Sequence, residues 1–308
     1  MTSFVLAILP IIIVVSLGRF MAWRAVIPSD GWRAIERLAY VLLFPALIIR
    51  VLANAPFETA PWKLAAAMIV GQLVLGGMGL ASRFLPSISR PATGAIIQSN
   101  VRWNTFVALS LGSALFGEEG LALVAIAAAA MIPTANILSV LGLTAHAESE
   151  SGQRPPIIRN LLTNPLIIAC AIGGLIAASG WTLPATVDDT LRILAQATIA
   201  LGLLSAGAGV DLTALKRAGV RTLSWSFVRL LMMPLIVLSV GAAIGLDGTP
   251  LAIAAICASV PTATNGYILA RQLGGDATLA ANLIAVQTVM AAITMPMVWY
   301  KLQMLGLQ

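Results

Sequence analysis

Apolar runs of about 20 residues recur along almost the whole chain and limit what it can fold into. "FVLAILPIIIVVSLGRFMAW" (4–23) is the first and "AANLIAVQTVMAAITMPMVW" (280–299) the last. About 20 helical residues cross the ~30 Å hydrocarbon layer of a bilayer. No water pairs with backbone polar groups there, so only α-helices and closed β-barrels are viable. A barrel needs alternating segments of ~10 residues, and none occur. The chain therefore reads as an all-α polytopic membrane protein. Its balance agrees: 59% of the 308 residues are apolar and 10% charged, against roughly 45–50% and 25% in soluble domains.

Ten spans are predicted, near 3–22, 35–54, 62–84, 94–115, 119–144, 157–178, 190–209, 222–245, 250–272 and 277–301. The first has no basic segment before it and no small-residue cleavage site, so it reads as a retained span. Cys170 and Cys257 lie inside apolar runs and read as small core or lipid-facing residues. The longest polar connection is the midpoint loop "HAESESGQRPPIIRN" (146–160). No soluble domain is evident, so the function is expected within the membrane.

The net charge of +6 could suggest nucleic acid, but basic residues in a membrane protein mainly mark the cytoplasmic side. With both termini outside, the inner loops hold Arg19, Arg24, Arg33, Arg37, Arg83, Arg90, Arg154, Arg159, Lys216, Arg217, Arg221 and Arg271. The outer side keeps Arg50, Lys63, Arg192 and Lys301. This bias favours both termini outside and removes the need for a nucleic-acid partner. The lipid bilayer is the expected surrounding.

The halves also resemble one another. "LPIIIVVSLGRFMAW" (9–23) matches "NPLIIACAIGGLIAA" (164–178), pairing Pro10 with Pro165 and Gly18 with Gly173. "GEEGLA" (117–122) matches "GDATLA" (275–280), Asn104 matches Asn265, and Pro133 matches Pro296. Five spans per half is an odd number, so the halves enter the membrane from opposite sides. The boundaries are a first repeat at 1–145, a cytoplasmic linker at 146–156 and a second repeat at 157–308. Inverted repeats of this kind place transporter binding sites near the midplane, between discontinuous helices.

Spans 4 and 9 carry the polar interruptions. Span 4 has Gln98, Ser99, Asn100, Arg102, Asn104 and Thr105; span 9 has Ser259, Pro261, Thr262, Thr264, Asn265 and Gly266. Pro261 lacks a backbone donor and clashes with the preceding turn, so span 9 is expected to break. Paired breaks would turn half-helix N-termini, each with partial positive charge, toward one place suited to a carboxylate.

"SNVRWNTFVALSLGSALFGEEGLALVA" resembles the Arg-Asn segment of the auxin efflux carrier family of bacterial and plant anion transporters. "SVPTATNGYILARQLGGD" resembles the same family's second-half segment, and "NPLIIACAIGGLI" its sixth span. The family often has a proline soon after the Arg-Asn pair; "NTFVALSLG" has none. Here the first break is expected to use Asn100, Asn104 and Gly112. The resemblance implies two inverted five-helix repeats with spans 4 and 9 crossing at their broken centres. It implies a scaffold of spans 1, 2, 6 and 7, with a mobile core of spans 3–5 and 8–10. It further implies elevator-type carriage of carboxylates such as malonate, malate or auxin-like acids. A homodimer through the scaffold helices is compatible with this plan.

Arg102 is the sharpest site candidate, because intramembrane charges usually face a cavity and a guanidinium fits a carboxylate bidentately. Its alternative is to snorkel to the headgroups, which is the expectation for Arg229. Asn100, Asn104, Thr105, Pro261, Thr262, Thr264, Asn265, Gly266 and Gln287 complete the substrate-binding candidates. Each polar one could instead join helices, the leading reading for Gln72, Gln196 and Gln287. His146 reads as a plain surface residue. No Asp or Glu lies mid-span, and the positions that carry an acidic sodium ligand in the similar sodium–bile acid symporter fold are Ser259, Val260 and Pro261 here. A sodium-coupled organic anion symporter is the alternative, and a channel is more remote. An enzyme lacks both HExxH and paired membrane aspartates. No cofactor or metal is expected.

Overall fold

The computed structural model describes residues 2–54, 62–147, 163–304 and 306, without the side chains of residues 2 and 3. Most of the midpoint linker, with Arg154, and the start of span 6, with Arg159, lie outside the described residues. All regular structure among the described residues is helical. Six runs among the described residues are long and apolar enough to cross a bilayer: Phe4–Trp23, Trp62–Phe84, Arg90–His146, Ala185–Ala208, Val220–Ala243 and Ala277–Met304. The 57-residue run Arg90–His146 would measure about 85 Å unbroken at 1.5 Å per residue, far more than one crossing needs. It is interrupted by extended backbone near Arg102 and by Gly117 at φ +59°, ψ −140°.

The helices are α1 (Thr2–Trp23), α2 (Ser29–Leu38), α3 (Phe44–Ala53), α4 (Trp62–Ala81), α5 (Arg90–Val101), α6 (Thr105–His146) and α7 (Pro165–Ser179). There follow α8 (Ala185–Ala208), α9 (Leu212–Lys216), α10 (Val220–Phe227), α11 (Met233–Ala243), α12 (Gly248–Ser259), α13 (Gly266–Gln272) and α14 (Ala277–Met304). Span 2 is α2 and α3 joined through a π-turn at Ala39–Leu43, and span 8 is α10 and α11 joined through one at Val228–Met232. Pro45 and Pro234 sit two residues beyond these turns. A helical proline rejects the carbonyl four residues back, and a π-turn widens the helix enough to accept it.

Helix α1 packs on α8, α8 on α3 and α3 on α7; α4, α5, α6, α11 and α12 form a second group, with α14 against α10, α12 and α13. Small residues set the closest approaches. A Cβ on Gly18 would overlap the Leu204 carbonyl oxygen, and one on Gly207 the Val15 carbonyl oxygen, so the α1 and α8 backbones touch. Arg50 pairs with Asp188 at 3.1 Å, and Asn54 donates to the same carboxylate at 3.0 Å, tying α3 to α8.

His146 departs from its expected surface position. It is buried at the end of α6, with Nδ1 2.8 Å from the Gly142 carbonyl. Its place beside a polar loop suggested exposure, but the last turn of α6 is covered by the packing around it. Cys257 is buried and Cys170 half-buried, and both are free thiols.

Gly207→Ala should destabilise the protein by about 1–3 kcal/mol, the usual scale of overpacking, because backbone must move to admit the methyl group. Gly77→Ala, where nothing stands within 4 Å of the new atom, should leave it unchanged. Thermal unfolding of the two variants in detergent checks the contrast.

Candidate functional site

Helix α5 ends at Val101, and Arg102 leaves it in extended conformation at φ −78°, ψ 155°. Asn104 restarts the chain as α6, its Oδ1 accepting the Val107 N–H at 3.3 Å. Helix α12 ends at Ser259, and non-helical backbone continues until α13 begins at Gly266. Asn104 N–H donates to the Pro261 carbonyl at 2.8 Å, so the two breaks touch directly.

A buried backbone group without a partner costs ~1–3 kcal/mol, and these breaks free several. Buried side chains satisfy them. Gln72 donates to the Val101 carbonyl at 2.8 Å and to the Met131 carbonyl at 3.2 Å. Gln98 donates to the Gly266 carbonyl at 2.8 Å, binding the first break to the second. Gln287 accepts the Thr262 N–H at 3.0 Å and donates to Ser99 Oγ at 2.9 Å.

Arg229 overturns the snorkelling expectation. It is fully buried, with Nη1 donating to the Ala258 carbonyl at 2.7 Å and Nη2 reaching the Arg102 carbonyl at 3.5 Å. One guanidinium thus spans the C-terminal ends of α12 and α5, where the helix dipoles are negative. Two carbonyl ends offered fixed donors a better partner than distant headgroups did.

Arg102 lies beside a cavity of about 640 Å³. Its Nη2 donates to Asn265 Oδ1 at 2.9 Å and its Nη1 to Asn136 Oδ1 at 3.2 Å. Both partners are neutral amides, and no carboxylate pairs with Arg102 among the described residues. Asn265 spends its oxygen on Arg102 and does not cap its own helix. Aromatic rings of Tyr40, Phe44, Trp103 and Phe106 form much of the wall, and Arg33, Glu36 and Arg37 from α2 also line it.

Of the candidates, Arg102, Asn104, Thr105, Thr264 and Asn265 line this cavity. Asn100 does not; it is buried and donates to the Leu75 carbonyl at 3.1 Å. Thr262, Gly266 and Gln287 are likewise buried in the contacts joining the breaks. Pro261 lines a separate crevice instead. Gly112 lies against Gly120 within α6 and takes no part in the first break. Gln196 is exposed. Asn136 and Tyr40 were not singled out: an amide inside an apolar helix and a tyrosine in a span are common, and only the fold brings them to Arg102.

An all-helical, multi-pass membrane protein with a polar cavity at two touching helix breaks has the build of a transporter. The match to the membrane transport protein family covers residues 3–300, and the chain belongs to that family, the auxin efflux carriers. Similar proteins include the uncharacterized transporter YfdV of Escherichia coli (strain K12), 23% identical over 299 residues, covering 92% of this chain and 94% of that one. The protein of the same name from Shigella flexneri matches to the same extent.

Arg229→Met should lower stability by at least about 2 kcal/mol, since it strands two buried carbonyls at ~1–3 kcal/mol each. Arg229→Lys should recover only part, because a point charge cannot span both acceptors. Thermal unfolding of both variants measures the difference.

Proposed function

We propose that the protein carries small organic anions, carboxylates of the malonate, malate or auxin-like kind, across a bacterial cytoplasmic membrane. The observation that supports this most is Arg102: a guanidinium at a cavity, held by two neutral amides and by no carboxylate. In a low-dielectric surrounding such a cation favours a bound anion, and its planar fork suits a carboxylate. The N-terminus of the long helix α6, beginning at Thr105 on the same cavity wall, adds partial positive charge. Asn104, Thr105 and Thr264 supply hydrogen-bonding groups for the rest of the solute.

In this reading the chain makes ten crossings as two inverted five-helix repeats, 1–145 and 157–308, with both termini outside. Spans 1, 2, 6 and 7 form the scaffold and the remaining spans an elevator-type core. The touching breaks and the row of packed helices α1, α8, α3 and α7 support such a division. A membrane potential negative inside expels an anion with ~2.3 kcal/mol per charge per 100 mV, so export needs no coupling ion.

Arg102→Ala should abolish uptake of radiolabelled carboxylate into proteoliposomes while the purified variant stays folded and monodisperse. Arg102→Lys should retain a fraction of the rate, since it keeps the charge but loses the fork. Wild-type rates from Arg102→Ala would overturn the assignment. A thermal-shift screen against malonate, malate and indole carboxylates selects the labelled solute.

A further inference from the structure

Val107 and Pro261, close to the two breaks, border a second space of about 640 Å³ that is lined chiefly by α1 and α14. It shares no lining residue with the cavity. Its walls are almost wholly apolar, and the Thr288 hydroxyl is already bonded to the Ile284 carbonyl at 2.7 Å. Along α1 it runs from Ile8 to Trp23, about 22 Å at 1.5 Å per residue. It opens sideways: Val289 is 44% exposed, Phe20 51% and Trp23 66%.

The polarity is concentrated at one end. Arg19 lines the crevice there, and its Nε is buried without a hydrogen-bond partner. Arg24 stands by the Trp23 ring at 5.8 Å, and α9, which supplies Leu212 to the wall, ends in Lys216 and Arg217. Asp211 is the opposing charge: it is within electrostatic reach of Arg19, and its carboxylate also accepts from the Thr213 N–H at 2.8 Å and hydroxyl at 2.7 Å. A long apolar slot with a cationic, aromatic-rimmed end matches an acyl chain beneath an anionic headgroup.

We propose that this crevice seats one acyl chain of an anionic phospholipid, with the lipid phosphate on Arg19. The site is independent of what the Arg102 cavity carries. Native mass spectrometry of the full-length purified protein, titrated with phosphatidylglycerol or with phosphatidylcholine of identical chains, tests it. Wild-type protein should hold one phosphatidylglycerol about fivefold more tightly, the factor given by roughly 1 kcal/mol per basic residue. Arg19→Gln should erase the preference. Ala292→Phe, which fills the slot from its exposed wall, should weaken both lipids and keeps the test available should Arg19→Gln not fold. Leu175→Phe, on the exposed face of α7, should change neither. Equal binding of the two lipids by wild type, a preference that survives Arg19→Gln, or unaltered binding by Ala292→Phe would overturn the proposal.

Discussion

Two helix breaks meet among buried residues inside this protein, and the surrounding structure is organised around the backbone groups they free. The Asn104 N–H to Pro261 carbonyl bond joins the breaks, but one bond leaves the other freed groups unpaired. The chain supplies the remainder from side chains at fixed depth: Gln72, Gln98 and Gln287 as amides, Arg229 as a cation. Burying that cation costs several kcal/mol of lost hydration. The cost is offset because Arg229 sits where two helix dipoles end and its donors meet carbonyls.

This arrangement separates two arginines that look alike in the sequence. Both lie within apolar spans, yet Arg229 is consumed by backbone and Arg102 by the neutral oxygens of Asn136 and Asn265. Amide oxygens orient a guanidinium without cancelling its charge. Both arginines keep their charge, but Arg102 presents its own at the cavity wall, whereas Arg229 is fully buried and does not line the cavity. The division of labour follows from position: Arg229 lies behind the crossover, Arg102 within it.

The membrane class was legible in apolar run length, and the second break in Pro261, because both act through local backbone chemistry. The first break was harder to place. It has no proline, and it uses Asn104 as a helix cap with Arg102 and Trp103 extended, whereas Asn100 and Gly112 pack elsewhere. Hydropathy gives a residue's depth but not its facing, which is why Arg229 was expected at the headgroups. Asn136 and Tyr40 reach Arg102 only through long-range packing. The position of His146 in a polar stretch hid its burial for the same reason.

The packing at α8 bears on how such a site would work. Gly207 and Gly18 hold α1 and α8 backbone to backbone, while Gly202 receives the Phe106 ring and Gly209 borders Thr264. Two kinds of glycine contact thus lie on one helix. The first is between neighbours that pack together, and a shift there would require backbones to part. The second receives side chains from the two breaks, and such contacts can be remade one step along a smooth helix. A core that carries Arg102 past α8 would exchange the second set and keep the first. Under the proposed elevator movement, the close backbone contact at Gly207 would stay fixed while the side-chain contacts at Gly202 and Gly209 would change.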